Sequence, residues 1–221
     1  MGRPTLEALD DGAGKFGAGR TATTILDAAR RLFLSDGLDG VNLDQVGRAA
    51  GVSRQTVYNQ FGSKDALFRA VIDRHWSAIR EETRALDPGS ASPSADPTAV
   101  LLGFAQALLR FVHGTDQIAF TRLIVAESRR LPWIAEEFYR VGKAPVVEAF
   151  TAVLDSLVAD GSLRCSNPML AAHQFMGMVQ EFVIWPKVMA IGDALHRLPG
   201  DTEVVEEAVA TFLARYAAPR S

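Results

Sequence analysis

Arg54, Gln55, Thr56, Tyr58 and Asn59 crowd into one six-residue run, and Lys64 follows five residues later. Their side chains suit recognition of a polar surface better than bond-making. An arginine can donate in parallel to guanine O6 and N7, and a glutamine or asparagine can match adenine N6 and N7. Thr56 and Tyr58 fit phosphates, or a thymine methyl through the threonine methyl or the tyrosine ring. Ser53 and Ser63 each stand where a helix could begin, so the N–H groups after Ser63, with Lys64, can grip one phosphate.

Such a cluster reads DNA only if something rigid presents it. Asn42 with Gln45 three residues on forms a capping box, which predicts a helix over Leu43–Ala50. Gly51 permits a tight turn, Ser53 caps a second helix from Arg54, and Val46, Ala49, Val52, Val57 and Phe61 are spaced to pack the two together. Two short amphipathic helices around a glycine turn make a helix-turn-helix, with the polar run at the N-terminal end of the second helix. The same spacing would also serve a solvated hairpin. The coincidence of polar run, Lys64 and an upstream helix at Ile25, Ala28, Ala29, Leu32 and Phe33 favours DNA.

The segment Thr21–Trp76 resembles the DNA-binding domain of the TetR family, with ILDAARRLFLSDGLDGVNLDQVGRAAGVSRQTVYNQFGSKDALF following that signature and Tyr58, Phe61, Lys64 and Leu67 at the expected intervals. The resemblance implies that Ile25–Ser35 lies in the first helix, Leu43–Ala50 in the second and Arg54–Phe61 in the recognition helix, with Lys64 opening a long fourth helix. It makes Arg54, Gln55 and Thr56 base-edge candidates and Tyr58, Asn59 and Lys64 phosphate candidates, with Asn42 added to the DNA-facing set. Asp44 departs from the pattern where some relatives carry a basic or polar contact.

Composition sets the frame. The chain has 221 residues, 48% hydrophobic, with net charge -3, so attraction to DNA has to be local. Lys15–Lys64 holds seven basic residues against four acidic, a surplus of three that leaves minus six elsewhere. Cys165, the single cysteine, fits a reducing cytoplasm, and no run reaches the roughly 20 apolar residues of a membrane span. Residues 1–19, rich in glycine, read as a flexible tail; 20–86 as the DNA-binding domain with its connecting fourth helix; and 87–221 as a C-terminal domain, after a Pro/Ser/Gly linker from Asp87 to Thr98. The expected fold is all-α. Asp96-Pro97 and Asn167-Pro168 mark helix starts, and Pro186 breaks the one strand-like stretch, Phe182–Ile191.

The C-terminal apolar stripes read first as core, but their phenylalanines and methionines also suit a pocket between helices. Candidate lining residues are Phe104, Leu108, Phe111, Phe120, Ile124, Phe138, Phe150, Phe175, Met178 and Phe182. The segments RLIVAESRR and EEFYRVG are similar to the AefR-like subclass. The family resemblance implies a homodimer through the last two helices, roughly Pro168–Trp185 and Asp201–Tyr216, with Val179, Val205, Val209 and Phe212 as interface candidates, and a repressor released from a palindromic operator by a small hydrophobic or amphipathic effector. The alternative is a constitutive DNA-binding adaptor whose C-terminal domain recruits a protein; it requires a packed interior and an exposed apolar patch.

Catalysis finds no support. His75, His113, His173 and His196 lack metal-ligand spacing, Glu136/Glu137 and Glu206/Glu207 diverge on a helix, and only Arg164 adjoins Cys165. No phosphate-binding or nucleophile-elbow motif occurs, so no cofactor, metal or catalytic residue is expected.

Overall fold

The computed structural model describes residues 11–84, 96–192 and 197–219. Among them the regular structure is helical: α1 Asp11–Asp36, α2 Leu43–Ala50, α3 Arg54–Phe61, α4 Lys64–Arg84, α5 Pro97–Gly114, α6 Gln117–Ser128, α7 Pro132–Phe138, α8 Ala144–Ala159, α9 Pro168–Val183, α10 Trp185–Val188 and α11 Asp201–Tyr216. A π turn, Tyr139–Lys143, joins α7 to α8. The all-α expectation holds. α1 begins within the stretch expected to be a tail, because a helix already anchored at Ile25 and Phe33 extends without a new nucleation cost. Residues 1–10 and most of the expected linker, 85–95, lie outside the described residues.

Two units partition the chain, Met1–Val71 and Ile72–Ser221. The division falls inside α4, the helix expected to connect the two domains. The reason is burial: Leu67 and Phe68 belong to the core of the first unit, whereas Ile72, Trp76 and Ile79 are buried in the second.

In the first unit α1 packs on α2 and α2 on α3 around Ile25, Phe33, Leu38, Val46, Val57, Leu67 and Phe68, all at most 1% exposed. Phe68 meets Phe33 edge-on at 5.0 Å. The turn is fixed by local chemistry. Asn42 Oδ1 accepts from the Gln45 N–H at 2.9 Å while Gln45 Oε1 accepts from the Asn42 N–H at 2.8 Å, the reciprocal capping box. Gly51 takes up φ 69° and ψ 27° at the end of α2, a left-handed conformation costly for residues with a Cβ. Ser53 Oγ then accepts from the Thr56 N–H at 3.0 Å and opens α3.

In the second unit, α5, α8, α9 and α11 enclose a column of aromatic rings. Phe104 stacks on Phe150 at 3.7 Å, Phe175 lies 5.5 Å from Phe150, and Phe212 meets Phe175 edge-on at 5.5 Å. Proline opens α5 and α9 behind Asp96 and Asn167, whose side chains accept from the N–H groups of Thr98 and Leu170. Pro186 likewise sits at the start of a helix, α10, where the sequence had excluded a strand. No described helix is long and apolar enough to cross a membrane.

Candidate functional site

Among the described residues, each unit presents a place with the geometry of a site. The first is the outer face of α3. Arg54, Gln55, Tyr58 and Asn59 are exposed, Tyr58 by 55%, while Val57 on the opposite side is fully buried and Phe61 half-buried. One turn of helix thus separates a polar face from the core. Gln55 Nε2 donates to Asn59 Oδ1 at 2.7 Å, so the two amides form one hydrogen-bonded edge, and Thr56 Oγ1 lies 2.9 Å from Ser53 Oγ.

Lys64 is tied down more than the sequence suggested. Its Nζ donates to the Leu38 carbonyl at 2.9 Å, and the side chain is half-buried. With Asn42 and Arg54 it borders a shallow concavity that also takes in Val41, Leu43 and Asp44. Asn42 is spent largely on capping α2. Asp44 forms an ion pair with Arg48 at 3.1 Å, leaving the outer face of α2 electrically balanced.

Sequence reasoning passed over Gly47, although the turn depends on it. A Cβ there would meet the Val52 carbonyl oxygen at 2.9 Å and the Arg54 nitrogen at 3.2 Å. Hydrogen at this position lets the turn backbone lie directly on α2.

The second site is an apolar cavity of about 230 Å³ within the C-terminal unit. Its walls come from Trp76 of α4; Leu108, Leu109, Phe111 and Val112 of α5; Gln117, Thr121, Ile124 and Val125 of α6; Phe138; Lys143 of the π turn; Val146 of α8; and Met176, Val179, Gln180 and Val183 of α9, with Ile184 and Trp185 at the start of α10. Arg122 braces the α10 end, its guanidinium donating to the carbonyls of Val188, at 3.0 Å, and Lys187.

Of the ten residues nominated from sequence as pocket lining, four line this cavity: Leu108, Phe111, Ile124 and Phe138. Phe104, Phe150 and Phe175 form the aromatic column instead, where ring-on-ring packing leaves no room. Phe120 stacks on His75 at 4.1 Å. Met178 and Phe182 face away, along a groove shared with Val204, Ala208 and Thr211 of α11. The four interface candidates are also placed inward: Val179 lines the cavity, and Val205, Val209 and Phe212 are at most 5% exposed within their own chain. Trp76, Lys143 and Gln180 were missed. Gln180 had a readable signal, since it interrupts the apolar stripe Met176, Val179, Val183 of α9.

Two of the histidines have structural partners. His75, 7% exposed, donates from Nε2 to Gln117 Oε1 at 2.7 Å, and Gln117 Nε2 reaches Thr121 Oγ1 at 3.2 Å. His113 lies 2.6 Å from Asp201 on the surface, His173 is exposed, and His196 falls outside the described residues. Glu137 accepts from Arg140 at 2.8 Å; that hydrogen bond first, and the opposite charge second, raise the pKa of the Arg140 guanidinium. Among the described residues no three His, Cys, Asp or Glu side chains converge as metal ligands.

A helix-turn-helix with an exposed polar recognition face, joined by a shared helix to an all-helical unit with an apolar cavity, defines a DNA-binding regulator. A family model described as bacterial regulatory proteins, tetR family, matches residues 25–71, and one described as AefR-like transcriptional repressor, C-terminal domain, matches residues 99–218. The chain belongs to the TetR family of DNA-binding transcriptional regulators, with a C-terminal unit of the AefR-like type, and is not an enzyme. The HTH-type transcriptional regulator AlkX of Mycobacterium tuberculosis is 36% identical over 141 residues, 64% of this chain and 58% of AlkX. That alignment therefore spans little more than half of the relative's length. The solved structure of the flavonoid-responsive regulator FrrA superposes with a TM-score of 0.73 at 29% identity, covering 92% of this chain and 100% of FrrA. A TetR family regulator from Pseudomonas syringae pv. tomato superposes with a TM-score of 0.70 at 25% identity, covering 91% of this chain and 98% of its own.

Proposed function

We propose that the protein is a ligand-responsive repressor that binds a near-palindromic operator as a homodimer and leaves it when a small hydrophobic or amphipathic molecule occupies the C-terminal cavity. The observation that carries this reading is the cavity itself: about 230 Å³ of apolar space, walled in part by α4, the helix whose first residue is Lys64. A protein-recruiting adaptor would have no use for such a space and would fill it, since empty interior volume forfeits packing contacts.

Arg54, Gln55 and Thr56 are assigned to base edges, and Tyr58, Asn59 and Lys64 to phosphates, with Asn42 beside the concavity that Arg54 and Lys64 border. The groove along α9 and α11 at Met178, Phe182, Ala208 and Thr211 is assigned to the twofold partner, in place of the four inward-facing residues that the sequence nominated. Two recognition helices then meet successive major grooves about one helical turn apart. A ligand acts by favouring an arrangement of α4 in which that spacing is lost, a coupling that typically amounts to about 5- to 150-fold in affinity.

FrrA's description as flavonoid-responsive makes flavonoids the first compounds to try. In the test, a flavonoid panel is screened for a rise in melting temperature, and fluorescence anisotropy then measures binding to DNA from upstream of the gene. The expected result is a compound that stabilises the protein and weakens operator binding together. Compounds that stabilise the protein yet leave operator affinity unchanged would favour the adaptor.

A further inference from the structure

Trp76 is 7% exposed, and its Nε1 is, among the described residues, the buried side-chain nitrogen or oxygen left without a hydrogen-bond partner. An indole N–H can only donate, so its partner must bring an acceptor. The aromatic rings packed against it offer none. Phe111 stacks on it at 5.2 Å, Phe138 meets it edge-on at 4.9 Å, and Gly142 lies so close that a Cβ would come within 2.1 Å of the ring. Of the polar groups in the same cavity wall, Gln117 Oε1 already receives the His75 N–H and the Gln117 carbonyl the Thr121 hydroxyl at 2.9 Å, and neither bonds the indole. The same indole forms part of the cavity wall, where the described lining residues include one cation, Lys143, and no carboxylate.

We infer that Trp76 is the effector-sensing residue of this cavity: a neutral or anionic aromatic occupant bearing an acceptor oxygen takes up the Nε1–H, and the indole leaves its seat on Gly142 to make that bond. The movement is obligatory, because Nε1 has under 1 Å² of accessible surface as packed. It is delivered to α4, since Trp76 is part of that helix and Arg80, one turn on, donates to the carbonyl of Val141 in the same π turn. The absence of a carboxylate in the lining disfavours cations, which would be desolvated without a counter-charge. This inference rests on the ligand reading of the cavity proposed above.

Benzophenone and diphenylmethane, alike in their two rings and different in a carbonyl against a methylene, test it on the full chain by calorimetry. The parent binds benzophenone about three- to tenfold tighter, the range of one net hydrogen bond, and Trp76→Phe erases that ratio while still binding diphenylmethane. Gly142→Ala, which unseats the indole without any compound, weakens operator binding, and Trp76→Leu in the same chain restores it. A parent ratio near one, or a ratio that survives Trp76→Phe, overturns the role of Trp76 and leaves the cavity reading standing. Failure of both compounds to bind overturns the cavity reading and this inference with it, and so would operator affinity in Gly142→Ala equal to the parent's overturn the coupling.

Discussion

Arg54 stands at the first position of α3, exposed, while Ser53 Oγ is used on the Thr56 N–H, so the arginine projects beyond the capped helix end. Lys64 opens α4 and is anchored to the Leu38 carbonyl, which restricts its ammonium to the rim of the concavity shared with Arg54. Base-edge and phosphate contacts separate in binding experiments. Arg54→Ala should cost about 1–3 kcal/mol on the preferred operator and relax selectivity at one base pair per half-site. Lys64→Gln should weaken binding to all sequences alike and lower the slope of log K against log[salt] by about one per protomer. Anisotropy titrations over a salt series with a set of single-base operator variants measure both, and parent-like behaviour in both variants would remove the assignment. The placement of these residues at helix starts was legible in the sequence because capping and glycine turns are local: an asparagine, a glutamine three residues on and a glycine fix the helix, whatever lies elsewhere in the chain. The cavity residues were not. Phe104, Leu108 and Phe111 share one stripe of α5 at spacings of four and three, yet Phe104 joins the ring column and the other two line the cavity. Periodicity gives a face, and which part of a face meets space is decided by partners distant in sequence.

At the scale of elements, the helix-turn-helix depends on how closely its turn can approach α2. Gly51 is legible because a turn that needs a positive φ leaves a compositional mark, a glycine between two helices. Gly47 leaves none, since a mid-helix glycine looks like a mere weakness until the Val52 carbonyl is found against it. Gly47→Val brings two methyl groups against that backbone, so the turn must move off α2. The expected loss is about 1–3 kcal/mol of stability in the N-terminal unit, the usual range for overpacking. Urea denaturation followed by helical circular dichroism would measure it, and operator affinity should fall with it because Arg54 follows the displaced turn by two residues. A variant as stable as the parent would mean that the close contact between Gly47 and the turn has no energetic weight. α4 carries the other lesson at this scale. Its helical pattern was plain, but the division of the chain within it was not, because Leu67–Phe68 and Ile72–Trp76 are one continuous apolar stripe to a sequence reader.

At the scale of the whole molecule, twofold pairing decides whether one recognition helix becomes two. Val205, Val209 and Phe212, which the family resemblance nominates for the interface, recur on α11 at spacings of four and three. The structure gives the stripe to the chain's own core, with Phe212 against Phe175. What α9 and α11 leave outward is mixed: Phe182, 38% exposed, and Met178, beside Glu203, Glu207 and Thr211. A partner seated there would bury Phe182 against its own symmetry mate or the facing α11, as an isologous contact requires. Phe182→Glu would then place a carboxylate in a desolvated contact already bordered by Glu203 and Glu207, without disturbing the monomer core. The expected outcome is a monomer in sedimentation velocity that keeps the parent's helical circular dichroism and binds a single half-site with unchanged specificity, while affinity for the full operator falls by at least tenfold as the linked second contact is lost. A Phe182→Glu protein that sediments as a dimer and holds the full operator as the parent does would place the partner on another face.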